Sequence, residues 1–143
     1  MPIRSFGSIT TVHSNAPRDS LSRLETMVLM AGVDLPQRAI REQMSSALDL
    51  IVHLERLEDG GRRVTAITEV QRMESEVITL QDIFEYKIKE ITSERVVVGN
   101  LAPTGLRPTF LSKFEKRGVT LPTGLFMDGR LGRTPAEAAK VGT

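Results

Sequence analysis

The chain has no cysteine, no tryptophan, one tyrosine and only two histidines among its 143 residues. Without cysteine there can be no disulfide and no thiolate metal site, which suits a reducing compartment. No apolar run approaches the ~18 residues of a membrane-crossing helix, and the N-terminus lacks an apolar signal-peptide core. Charge of one sign is missing too. The formal net charge is +1, too small to argue by itself for nucleic acid or an anionic membrane surface. Arg56, Arg62 and Arg63 form a small basic cluster, but Phe84 and Tyr86 are the only aromatics nearby, too few for a base-stacking platform. The cluster reads as a solvated turn. The expectation is a cytoplasmic chain with no nucleic-acid partner, no metal site and no transmembrane segment.

What is present is a globular balance, with 40% apolar and 26% charged residues. Ile9, Thr10, Thr11 and Val12 are strand formers, and the polar break after them places His13 where a strand gives way to a helix. In an open α/β sheet that junction is where ligands bind. A histidine there can equally be a structural strand-end residue. The first helix is expected over 17–31. Leu21, Leu24, Val28 and Ala31 form the buried stripe, Met27 widens it, and Pro17 suits the first turn. Asp34 with Gln37 three residues on forms a capping-box pattern for a second helix carrying Ile40, Met44, Ala47 and Leu48.

Leu50 to Leu57 reads as a strand, and Asp59-Gly60-Gly61 as a hairpin turn into a strand from Arg63 to Val70. Further β segments are expected at 76–80, 83–91 and 95–98, giving antiparallel hairpins. A short helix is expected over 108–117, with Gly118 ending it. Residues 121–143 read as a loose tail in which Thr134-Pro135-Ala136-Glu137 could start a brief helix to Lys140. His53, on a strand beside Glu55, reads as an exposed packing residue, and Glu69 as a structural or subunit-contact carboxylate. Two histidines without cysteine and without HExxH spacing do not make a zinc site.

The run GSITTVHSNAPRDSLSRLETMVLMAG, continued by LPQRAIREQMSSALDLIVHLERLEDGGRRVTAITEV and VITLQDIF, resembles the type II/IV secretion ATPases from their His box onward. Within them it is most similar to the motor of tight-adherence (Flp) pilus assembly, over about residues 7–111. The resemblance implies an α/β fold, the C-terminal portion of a RecA-like P-loop motor domain, with antiparallel β hairpins and a short C-terminal helix. It divides the chain into a partial motor domain over 1–120 and the tail over 121–143. It places His13 beside the nucleotide phosphates as a sensing residue, with Thr11, Arg18 and Arg23 as further nucleotide-binding candidates. Thr10 and Thr11 could instead serve a sheet, and Arg18 and Arg23 a subunit contact or a solvated helix face. The resemblance also implies ATP and Mg²⁺ as cofactors of the complete motor, and homologous subunits in a hexamer as partners. Beyond the hexamer it implies an inner-membrane pilus-assembly platform, where the chain would sit peripherally.

A P-loop motor needs G-x-x-x-x-G-K-[ST], whose amides cradle the phosphates while the Lys reaches them and the hydroxyl holds Mg²⁺. No Gly-Lys pair followed by Ser or Thr occurs in this sequence. The family places that loop, and the acidic strand after it, ahead of the His box. The chain therefore looks like the back half of such a motor, expected to bind no ATP or Mg²⁺ by itself. A non-catalytic module that docks onto complete subunits, and the remnant of a broken gene, are the alternatives.

Overall fold

A computed structural model describes residues 7–122 and 124–127. Seven elements follow one another: α1 (Pro17–Met30), α2 (Gln37–Ala47), β1 (Leu50–Arg56), β2 (Arg62–Glu74), β3 (Val77–Ile91), β4 (Val97–Pro103) and α3 (Leu111–Glu115). The four strands form one antiparallel sheet in the order β1-β2-β3-β4. The chain is thus α/β in content, with the antiparallel hairpins that the sequence suggests.

The hairpin at Asp59-Gly60-Gly61 forms as its residues require. Gly60 takes φ 77°, and Leu57 and Gly61 close the turn at 2.9 Å. The next turn is less legible. The β segments expected at 76–80 and 83–91 are one long strand, β3, carried through an irregularity where Ile83 bulges between the pairs Ile67–Phe84 and Thr68–Asp82. A bulge keeps a strand continuous while changing which residues face the core, so the sequence pattern breaks although the ladder does not. The last strand begins at Val97 and runs through Leu101–Pro103.

The sheet carries two cores. Leu21 of α1 and Ile40 and Met44 of α2 pack with Val70 and Ile78, and Leu24, Val28, Leu48 and Ile51 close around them. Met27 stays half exposed instead of widening this stripe, and Ala31 and Ala47 face outward. Ile83, Phe84 and Phe126 form a second core with Ile67, Leu101, Leu111, Leu121 and Leu125. The Phe84 and Phe126 rings lie 5.9 Å apart, so the stretch around Leu125 and Phe126 is packed against the sheet. The helix expected from Thr134 to Lys140 lies outside the described residues.

One helix start differs from expectation. The second begins at Gln37 behind Pro36, not behind Asp34. Pro36 disfavours helical geometry in Leu35 and so moves the boundary past the capping-box pattern. The first begins at Pro17, as expected, with Ala16 in the cap position and no capping side chain.

The largest correction concerns residues 9–12, which form no strand. Ile9 is 98% exposed, and no described strand pairs with it. β-branched residues favour a pleated, half-buried setting, but a strand is made by its hydrogen-bonding neighbours. The RecA-like parallel arrangement that this strand would join is not seen among the described residues. Nor is any helix there long and apolar enough to cross a membrane.

Candidate functional site

The segment before α1 is fastened to that helix by polar contacts. The Ser14 and Ser20 hydroxyls lie 2.6 Å apart, and the Asn15 amide donates to Asp19 Oδ2 at 3.0 Å. A carboxylate in the first helical turn both satisfies a free amide and complements the helix dipole. These contacts fold the segment back along one side of α1. Asp19, Ser22, Arg23, Thr26 and Met27 recur at the three- and four-residue spacing of a single helix face. Thr11, Val12 and His13 lie opposite them across a groove of about 630 Å³.

Three of the four residues expected at a nucleotide site therefore meet: Thr11, His13 and Arg23. His13 is exposed, and the Arg23 guanidinium is turned toward Asp19 at 3.9 Å. The fourth is elsewhere. Both terminal nitrogens of Arg18 donate to the Ile78 carbonyl at 3.2 Å, tying α1 to β3. Beside it Arg41 donates to Glu25 Oε2 and the Glu76 carbonyl, each at 3.0 Å. The Glu25 hydrogen bond and charge raise the Arg41 guanidinium further above its ordinary range. Arg18, Glu25 and Arg41 thus act as struts between helices and sheet.

The groove offers an imidazole and a guanidinium, which are donors suited to anionic oxygens. Its one carboxylate, Asp19, already holds the Asn15 amide. Among the described residues no three His, Asp or Glu side chains gather as metal ligands. The residues present fit the phosphate end of a nucleotide and do not fit Mg²⁺.

Two other candidates change character in the structure. His53 is buried, at 7% exposure, not an exposed strand residue. It shares a sheet face with Ile51 and Glu55, and that face is the one covered by α1. Alternation from Ile51, a core residue, carries the signal that could have shown this. Glu69 is 1% exposed and serves the structure. It accepts from the Thr109 amide at 2.8 Å and from the Thr109 hydroxyl, holding the 104–110 connection against β2.

No protein-family model matches the chain. A 65-residue stretch is 40% identical to the conjugal transfer protein TrbB of Rhizobium radiobacter, covering 46% of this chain and 19% of that protein. An 89-residue stretch is 33% identical to a probable conjugal transfer protein TrbB of Sinorhizobium fredii (strain NBRC 101917 / NGR234), covering 62% of this chain and 24% of that one. Both relatives are named for conjugal transfer. The chain spans about a fifth to a quarter of their length. These relatives overturn the expected kinship with the tight-adherence pilus motor. The residues behind that expectation specify a local segment, a helix and hairpins, and none of them bears on what is transported.

Proposed function

We propose that this chain serves a type IV secretion apparatus of the conjugal-transfer kind, as the phosphate-facing part of a RecA-like, ATP-driven motor subunit. Similarity to the two TrbB proteins supports the setting. The convergence of Thr11, His13 and Arg23 on one face of α1 supports the role. In this reading His13 donates to a terminal phosphate oxygen, and Arg23 exchanges its loose contact with Asp19 for phosphate. The charge change reaches α1 through the Ser14–Ser20 and Asn15–Asp19 contacts. Bound Mg-ATP would supply the reacting phosphoryl group. The amide cradle and the Mg²⁺ ligands come from a P-loop that is not in this sequence, and positioning by such parts accounts for nearly all catalysis in phosphoryl transfer. In this reading the chain works with homologous subunits of a hexamer at an inner-membrane transfer apparatus.

The test is a chimera in which residues 7–127 replace their counterpart in a TrbB relative. His13→Ala should slow nucleotide hydrolysis well beyond any loss of nucleotide affinity. Equal turnover in parent and variant would end the sensing role. A second reading, a docking module without catalysis, draws on the exposed apolar run of Leu29, Met30, Val33 and Leu35. It requires the chimera to hydrolyse no nucleotide while still joining complete subunits.

A further inference from the structure

The sheet has two edges, and the chain treats them differently. β4 is closed off. Pro103 ends it, a register shift between Ile88 and Glu90 distorts its ladder with β3, and its Val97 amide is taken by Asp59. Proline and bulges are means by which proteins keep an edge strand from pairing with another chain. β1 carries neither. Leu50–Arg56 holds no proline or glycine, has no charged residue before Glu55, and pairs only with β2 among the described strands. The one register shift in its ladder leaves the extra residue, Thr65, on β2.

Backbone alternation shows what this edge offers. The Asp49 carbonyl accepts from the Val70 amide of β2, and at the far end the Leu57 amide donates to the Gly61 carbonyl. Successive residues of an antiparallel ladder turn their N–H and C=O groups to opposite sides. The odd-numbered residues of β1 therefore bond to β2. Leu50, Val52 and Leu54 point their backbone groups outward, where no described strand meets them. The same three side chains are 42%, 51% and 61% exposed. Alternate residues share a face, so they form one apolar row beside the open ladder.

The open ladder selects an extended strand as partner, and the row selects which strand. Two antiparallel edges related by a twofold axis through the sheet keep their faces, and the same patch serves both sides. An axis at Val52 sets Val52 against Val52 of the second copy, and Leu50 against Leu54 of the second copy. Each of these residues offers its backbone groups to the other, and every pair in the row is apolar. Like charges meet where Asp49 faces Glu55 of the second copy, but Asp49 is already held by Lys113 at 2.9 Å. We propose that β1 is a self-pairing edge, which joins the sheets of two copies of this chain through Leu50, Val52 and Leu54. The pairing is separate from the His13 groove and does not rest on the nucleotide reading.

Sedimentation of the full chain over a wide concentration range tests it, with a monomer–dimer equilibrium expected. Val52→Pro removes one outward amide and spares the bonds to β2, and Leu54→Lys sets a charge in the row. Each should weaken the dimer about tenfold or more. Met30→Lys, at the exposed apolar end of α1, should leave it unchanged. Amide exchange should slow at Leu50, Val52 and Leu54 as the dimer forms, with little change at Ile51 and His53. The chain has no cysteine, so Val52→Cys reads the register. Its oxidation should link the copies across the axis, where paired Cα atoms lie about 5.5 Å apart. A monomer at every concentration, or a dimer that survives Leu54→Lys or is dispersed by Met30→Lys, would overturn the proposal. So would unchanged exchange at the three amides, or no link at Val52 in a proven dimer. Association only with complete subunits of a TrbB relative would also overturn it and give the edge to a foreign strand.

Discussion

Asp59 Oδ2 accepts the Val97 amide at 3.1 Å, so the turn between β1 and β2 is joined to the first residue of β4, two strands away. Oδ1 of the same carboxylate accepts the Gly61 amide at 2.8 Å, and Arg63 stands 3.8 Å off. One side chain therefore both shapes its own turn and pins the opposite edge of the sheet.

These amides, Gly61 first and Val97 next, hold the Asp59 carboxyl below its ordinary value of 3.8. A depressed folded-state value contributes stability above that ordinary value and loses it as pH falls through the lower folded one. Asp59→Ala should therefore lower the urea midpoint at neutral pH, and the gap to the parent should close below about pH 3.8. Urea melts across an acid series would show it. A gap unchanged down to pH 2 would refute the account.

Glu69→Ala should destabilise the chain by about 2–4 kcal/mol, because it leaves the Thr109 amide and hydroxyl facing an emptied, buried position. Glu69→Gln keeps an acceptor and should cost clearly less. Denaturant melts of the two variants, compared for midpoint and slope, check the difference.

Leu21→Ala should cost about 2–5 kcal/mol, since Leu21 joins α1 to Ile40, Met44, Val70 and Ile78. Amide exchange should quicken throughout α1, while Ile83 and its neighbours in the second core stay protected. Uniform loss of protection over both cores would mean that they unfold as one unit.

Arg18 and Arg23 should separate cleanly. Arg18→Ala removes the tie to the Ile78 carbonyl and should lower stability by about 1 kcal/mol without touching turnover in the TrbB chimera. Arg23→Ala should leave stability within about 0.5 kcal/mol, its contact with Asp19 being exposed and long, but reduce turnover. Reversed effects would move the site away from the His13 groove.

The chain alone should show no saturable calorimetric response to Mg-ATP, as the sequence holds no GxxxxGK[ST]. Micromolar binding would overturn that. In exchange experiments residues 9–12 should be unprotected in a monomer, and β2 and β3 the slowest region. Strong protection of 9–12 in a proven monomer would contradict the structure described.

The sequence determined the local elements whose causes are local. Pro17 and the Leu21–Leu24–Val28 stripe place the first helix, and Asp59-Gly60-Gly61 places the first hairpin, because helical spacing and turn chemistry are properties of neighbouring residues. The same stretches carried the expected likeness to the tight-adherence motor, which the relatives named for conjugal transfer overturn.

Tertiary structure decided what depends on partners far along the chain. Residues 9–12 have strand composition but no strand, since pairing comes from a neighbour that composition cannot supply. The bulge at Ile83 merged two expected segments into one, and Pro36 moved a helix start past a plausible cap. Arg18 and Arg23 lie on different faces of one helix, so Arg23 shares the groove with His13 while Arg18 reaches a carbonyl sixty residues away, and which face meets which partner was set by the sheet. Burial of His53 required α1 to cross the sheet face on which the alternation of β1 had placed it.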